Sequence, residues 1–443
     1  MRTRLTRRQA LALGASATIP FVHMRTAGAA GKVSLGLWDH WVPAGDDVMR
    51  KQVNAWAEQN KVEVQLDFIT SNGFKNLVTL SAEEQAKSGH DISSFPNFEV
   101  HNHAASMEPV DDVVGRLIGK FGPINQVSEY LFKVQGHWLS IPSSWGSQNK
   151  GPCGRISVLK ELAGLDVQKM YPAQPVTTPE AEAWDWEAHQ KAAEACQKGG
   201  KTFGIGLGVT ADSVDMTGCL LRSFGAKVVD EKGDITVDSD PVRHVLEYAQ
   251  RMVKVLPDDA VAYDDASNNR ALISGQSALI WNPPSAWAVA VRDNPSVGAD
   301  CWTFPSPKGP AGRFMPVNLQ SFGIWKFSPN KSAAKELAEW LMQREQVEER
   351  AQPVQGYDQP PFISMTDFKI WEEVQPPKGT VYNYPIRPFH KIAPWLSGME
   401  APPETAVQIY NRGTLPTMLA KLKTGQSIPQ VIAWAKNELE GFI

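Results

Sequence analysis

The chain has 443 residues, of which 42% are hydrophobic and 21% charged, and its 44 Lys and Arg stand against 48 Asp and Glu for a formal net charge of −4. This length exceeds one average domain, and the composition is that of a globular chain rather than a disordered, collagen-like or disulfide-scaffold protein. Charge is nearly balanced and no block of one sign stands out, which disfavours a nucleic-acid binder held by phosphate neutralisation.

Residues 1–30 read as an export signal. Arg2, Arg4, Arg7 and Arg8 make a basic start, Gln9 to Val22 is mildly apolar, and Ala27, Gly28, Ala29 and Ala30 offer a small-residue cleavage site. The apolar stretch is too short to span a bilayer of about 30 Å. Thr6-Arg7-Arg8-Gln9-Ala10-Leu11 resembles the twin-arginine export motif. Removing this segment takes away five Arg and no acid, so the net charge moves from −4 to about −9. No later run reaches 18 apolar residues and no Cys lies near the cleavage region. The expectation is a periplasmic, exported chain that is not lipid-anchored.

A first strand is predicted at Val33–Trp38, followed by a polar turn, a helix carrying Val48, Val53 and Trp56, and a strand at Val62–Phe68. Strand, helix, strand opens a parallel α/β layer. A helix over Phe74–Lys87 and a strand end at Asp91–Phe95 follow, stopped by Pro96. The pattern restarts near Gly151, with helices at Ile156–Leu162 and Trp184–Cys196, a Gly-rich strand at Phe203–Val209 and a helix at Val214–Phe224. Further helices are predicted at Val242–Val255, Asn268–Ser274 and Ser332–Gln343, with strands at Ala278–Trp281 and Ser321–Lys326. Beyond Gln352 the chain is Pro-rich, with three more short helices. Cys153, Cys196, Cys219 and Cys301 lack C-x-x-C spacing; four cysteines allow three pairings, and buried free thiols are the expectation.

Several stretches, in this order, carry a resemblance: Trp38-Asp39-His40, Gly89-His90-Asp91-Ile92, Glu108-Pro109-Val110-Asp111-Asp112, Asn269-Arg270-Ala271-Leu272-Ile273-Ser274-Gly275, the Pro-rich Phe304–Pro310 and Gly323-Ile324-Trp325-Lys326. Together they resemble the extracellular solute-binding proteins of ABC importers, in the branch that mostly binds sugars, from about Val33 to Gln346. The resemblance implies a two-lobed periplasmic-binding-protein-like fold, two α/β domains joined by crossing hinge strands. One lobe would hold 31–150 completed by 303–345, the other 151–302 completed by 346–443. It also implies a monomer that closes on a small-molecule ligand, delivers it to the permease subunits, and needs no cofactor.

Ligands of open α/β sheets lie at strand ends. Trp38, Asp39, His40 and Trp41 form the leading candidate cluster, because a Trp face stacks on a sugar ring while a carboxylate accepts from neighbouring hydroxyls. Ser144 and Trp145 sit where the resemblance puts the first crossing, and Asp91 precedes the third strand. In Asn282-Pro283-Pro284-Ser285-Ala286-Trp287, Ser285 stands where relatives often carry a stacking Trp, and Trp287 could take over. Asn318 and Gln320 offer amides to hydroxyls, and Arg313 is weighed as an anion partner against a solvated surface role. No metal site is expected, since His40, His90, His101 and His103 lack ligand spacing on one helix. Asp111-Asp112 and Asp264-Asp265 read as helix caps or turns, since neighbours in a strand point to opposite faces. The reading is a receptor for a carbohydrate or polyol. The rival is an exported enzyme such as a glycoside hydrolase, which needs two convergent carboxylates about 5–10 Å apart.

Overall fold

The computed structural model describes residues 31–172, 176–282, 285–354, 356–365, 367–368, 370, 393–441 and 443. The export-signal reading of 1–30 lies outside these residues, as do Pro283, Pro284 and the side chain of Ser285.

The first sheet is built on Lys32–Trp38, which pairs in parallel with Glu63–Ile69 on one side and Ile92–Pro96 on the other. Val33, Leu35 and Leu37 are fully buried and so is Ile92, the run expected where helices cover a parallel sheet. The helix Ala44–Asn60 supplies Met49, Val53 and Trp56 to one face. It ends at Lys61, whose left-handed backbone (φ 55°) lets its N–H bond back to the helix carbonyls.

Two long strands lie antiparallel to that core. Gly312–Ile324 pairs with Ile92–Pro96 on one side and with Ser140–Asn149 on the other. All ten residues of Ser140–Asn149 are buried. The chain passes through Lys150 into Gly151–Arg155, a strand of a second sheet ordered Cys301–Thr303, Gly151–Arg155, Ser277–Asn282, Thr202–Phe203. It returns from Cys301–Thr303 to Gly312–Ile324. These two crossings join the lobes of a two-lobed α/β fold. The helices Trp186–Lys198 and Ala211–Ser223 pack on the second sheet, Asp240–Met252 lies against both of them, and Thr414–Lys423 packs on Ala211–Ser223 and Asp240–Met252.

Two expectations, on the Gly-rich strand and on Arg313, are corrected. The Gly-rich strand Phe203–Val209 is a strand only at Thr202–Phe203. After it, added Cβ atoms would lie 2.5 Å from Ser277 Oγ at Gly204 and 2.5 Å from the Tyr263 carbonyl oxygen at Gly208, so these glycines serve close approach rather than a ladder. The stretch 346–368 bonds to residues within 31–150: Gln359 N–H donates to the Ser147 carbonyl, Asn125 N–H to Pro361, and Arg350 to Gln52 and Ser144. Arg313 is neither solvated nor available to an anion, being buried and donating to the carbonyls of Trp184, Ser306 and Ala181. All four cysteines are buried free thiols.

Candidate functional site

A cleft of about 340 Å³ lies between the lobes, at the carboxyl ends of the parallel strands of the first sheet. The first lobe contributes Trp38 from the end of its strand, Trp41 from the loop after it, Phe74 before the helix Lys75–Ala86, and Pro96 to Glu99. The second lobe contributes Thr210 to Asp212 at the start of Ala211–Ser223, then Asp265, Asn269 and Asn282. Gln148, Lys150, Asn318 and Gln320 come from the crossing strands, and Tyr410 from the helix Pro403–Asn411.

The crossing strands aim their amides through an irregularity. The pairing of Gly312–Ile324 with Ser140–Asn149 shifts register between Asn318 and Gln320, as a bulge does where a side chain is re-aimed. Asn97 pins the same point, exchanging bonds with Leu319: the Asn97 N–H donates to the Leu319 carbonyl at 2.8 Å and its Oδ1 accepts the Leu319 N–H at 2.9 Å. Four amide oxygens at the cleft are sealed from solvent without a hydrogen-bond donor: Gln148 Oε1, Asn269 Oδ1, Asn318 Oδ1 and Gln320 Oε1. An unpaired buried acceptor costs about 1–3 kcal/mol. The amide nitrogens of these four side chains have no partner among the described residues and remain accessible to donate to a ligand.

Behind the amides lies an ionic cluster. Lys150 Nζ stands 2.9 Å from Asp212 Oδ1 and 2.8 Å from Asp215 Oδ2. Asp212 Oδ2 accepts from Asn268 at 2.9 Å and from Asn282 at 3.1 Å. Burial by itself would pull the Lys150 pKa down, but the two carboxylates outweigh it and hold the ammonium above the usual lysine range. Burial pushes the Asp215 carboxyl up to about 6 against the pull of Lys150. It does the same to Asp265, also to about 6, with the neighbouring Asp212 charge adding.

The family profile described as Bacterial extracellular solute-binding protein matches residues 51–375, almost three quarters of the chain. The chain belongs to this family. No curated protein matches it. Among solved structures it is similar to the maltose-bound MalE3 of Thermotoga maritima, at 18% identity over 94% of this chain and 100% of that one, with a TM-score of 0.72. It is similar as well to a sugar transporter from Arthrobacter chlorophenolicus with bound laminaribiose, at 17% identity over 93% and 100%, TM-score 0.72. The GacH receptor of Streptomyces glaucescens, solved unliganded and with acarbose, shares 17% identity over 93% of this chain and 97% of that one, TM-score 0.67. At such identities the likeness is one of fold.

In this solute-binding protein, Trp38, Trp41, Asn282, Asn318 and Gln320 of the predicted residues meet in the cleft. The others do not line it. Trp145 is fully buried, with Nε1 donating to the Trp38 carbonyl at 3.0 Å. His40 is core as well: its Nδ1 accepts the Val42 N–H, so Nε2 carries the proton and donates to Asp358 Oδ1 at 2.9 Å. Asp39 is exposed, and the nearby Asp46 has a carboxyl that burial raises to about 7. Asp91 ties strands together, accepting from Ser34 and Ser328. Ser144 accepts from the buried Arg350, and Trp287 packs edge-on against Trp302 at 4.7 Å beside a separate apolar pocket. Ser285 lies outside the described side chains.

Sequence reasoning missed Lys150, Asp212, Asp265, Asn269 and Tyr410. Thr210-Ala211-Asp212 carries a readable signal, a Thr N-cap opening a helix. The two members of Asp264-Asp265 do diverge: Asp264 caps its turn and pairs with Arg270, while Asp265 faces the cleft.

Proposed function

We propose that this solute-binding protein is exported to the periplasm through its twin-arginine-like signal, binds a carbohydrate or polyol in the cleft as a monomer, and delivers it to the permease of an ABC importer. The observation that carries the reading is the pairing of aromatic walls, Trp38 and Trp41, with the side-chain amides of Gln148, Asn269, Asn318 and Gln320 around one cleft. Indole faces suit the C–H side of a sugar ring, and amides suit its hydroxyls. The solved relatives crystallised with maltose, laminaribiose and acarbose support the same class. Ligand contact with both lobes shifts an open population to a closed one, because only the closed form offers both sets of contacts.

The protein binds without turnover. Asp212, the cleft carboxylate nearest the crossing, is ion-paired with Lys150 and accepts from Asn268 and Asn282, so its oxygens are already engaged within the protein. Titrating the purified protein with neutral mono- and disaccharides and polyols, followed by Trp fluorescence and melting temperature, tests the reading. Saturable binding of one of them, recovered chemically unchanged, is expected. No response from any saccharide or polyol overturns the ligand class, and hydrolysis of a bound glycoside overturns the receptor.

A further inference from the structure

The helix Lys75–Ala86 forms one wall of the cleft, with Phe74, Asn76 and Leu77 at its start lining the cavity. Phe74, the residue before the helix, is in the left-handed region (φ 58°), and its side chain is exposed rather than packed in the core. Where this wall stands therefore depends on how the rest of the helix is fastened.

Two histidines fasten it, each between two carboxylates. His90 Nδ1 lies 2.5 Å from Glu83 Oε1 of the helix, and its Nε2 lies 3.1 Å from Asp67 Oδ2 on Glu63–Ile69. His103 Nδ1 lies 2.6 Å from Glu84 Oε2 of the helix, and its Nε2 lies 3.6 Å from Glu99 Oε2. Glu99 itself lines the cleft. Trp325 joins the two bridges: its Nε1 donates to Glu83 Oε2 at 3.0 Å, and its ring packs edge-on against His103 at 5.6 Å. A neutral imidazole has one N–H and can donate to one carboxylate, whereas the imidazolium has two and serves both. Among the described residues the charged groups facing His90 are Glu83 and Asp67, and those facing His103 are Glu84 and Glu99. Arg50 of the helix Ala44–Asn60 acts on Asp67 from the far side. Burial alone would lower both histidine pKa values, but the carboxylates outweigh it and hold both above 6.5.

We propose that His90 and His103, as imidazolium ions, are positioning residues that clamp the Lys75–Ala86 wall, so that raising the pH past neutral loosens the wall and weakens ligand binding. The inference rests on the saccharide reading above and adds a proton dependence to the same cleft. A histidine whose pKa is raised in the clamped form stabilises it fully below 6.5, and that contribution is lost as the pH rises through the raised value. Deprotonation turns one ring nitrogen of each bridge into an acceptor facing a carboxylate. A loosened wall must be re-ordered by the ligand, which lowers the apparent affinity by the fraction of molecules still competent.

Hydrogen exchange of the purified, ligand-free protein at pH 6 and pH 8.5, corrected for the intrinsic rate, tests the clamp directly. Protection over 75–86 is expected to fall about fivefold or more at the higher pH, while that of Trp186–Lys198 stays level. In the double variant His90→Gln/His103→Gln, checked for folding by its melting temperature, protection over 75–86 should be low at both values. The neutral mono- and disaccharides titrated above supply the binding readout. Any that bind should do so about fivefold or more weakly at pH 8.5 than at pH 6, and the variant should lose most of that difference. Asp46, Asp215 and Asp265 titrate at about 6 to 7 and remain in the variant, so only the dependence it removes belongs to the histidines. Equal wild-type protection over 75–86 at both pH values overturns the inference, whether or not the variant folds. Loss of protection without loss of saccharide affinity overturns the role in binding. No response from any saccharide overturns the saccharide reading, and a pH-dependent loss of protection still supports the clamp.

Discussion

Lys150 Nζ and Asp215 Oδ2 lie 2.8 Å apart with both side chains almost wholly withdrawn from water. The pair sits at the point where the chain leaves one lobe for the other, between Ser140–Asn149 and Gly151–Arg155. Breaking a buried pair by removing one partner leaves an uncompensated charge, typically a loss of about 3–5 kcal/mol. Lys150→Met is therefore expected to lower the unfolding free energy by that order, measured by urea denaturation of the ligand-free protein. A loss below about 1 kcal/mol would mean that the cluster is far better hydrated than its burial implies.

Two tryptophans separate binding from folding. Trp41 is half-buried at the cleft, whereas Trp145 is fully buried beneath it. Trp41→Ala should weaken ligand binding by roughly tenfold or more, about 1.4 kcal/mol, with a small change in melting temperature. Trp145→Ala should instead cost about 3–5 kcal/mol of stability, as large-to-small core changes do. Calorimetric titration and thermal melts of both variants check the contrast.

Gly146 is in the left-handed region at φ 72°, and a Cβ there would lie 2.6 Å from the ring of Trp38. Gly146→Ala meets both the backbone strain, about 1–2 kcal/mol, and a displaced indole. Lower stability and weaker ligand binding should appear together in this one variant, read by melting temperature and titration. Unchanged affinity would show that the Trp38 ring is not part of the binding surface.

His189 gives a pH signature. It is fully buried among Trp184, Trp186 and Phe203, with Nδ1 3.0 Å from the Tyr248 hydroxyl, and burial pushes its pKa down to about 3 from 6.5. A depressed histidine contributes stability that is fully present above 6.5 and is lost as the pH falls toward 3, because the unfolded chain binds the proton first. The loss is about 1.4 kcal/mol per pH unit from this group. Asp215 acts with the opposite sign between 3.8 and about 6, since its folded carboxyl holds a proton more tightly than the unfolded one. His189→Gln should therefore flatten the acid side of the stability profile relative to the wild type. A variant profile parallel to the wild type between pH 6 and 4 would refute the assignment.

Much of the fold is legible because its elements are local. Val33–Trp38 reads as a strand and is one from Lys32, and the predicted helix at Ser332–Gln343 spans Lys331–Leu341, since apolar periodicity and Gly or Asn ends are properties of adjacent residues. The crossing strand Ser140–Asn149 escapes such reading, because a chain buried on both faces has no alternation to show. The cleft is legible only in part. Asn318 and Gln320 stand out as amides in a loop-like stretch, but Trp38 and Trp145 look alike in sequence. What sends Trp145 into the core is a bond to a carbonyl 107 residues away. Lys150, Asp265 and Tyr410 converge from three distant stretches, which no spacing rule connects.

The hydroxyl of Tyr410 accepts from Asn97 Nδ2 at 2.8 Å, so a helix packed with the second lobe grips the first at the rim of the cleft. The crossings form an axle, and this contact lies apart from them, at the cleft. Widening the mouth there first breaks a bond worth about 1 kcal/mol net. The resting gape is thus a property of the last forty residues as much as of the axle. A change confined to that tail could retune how wide the jaws stand without altering a single strand.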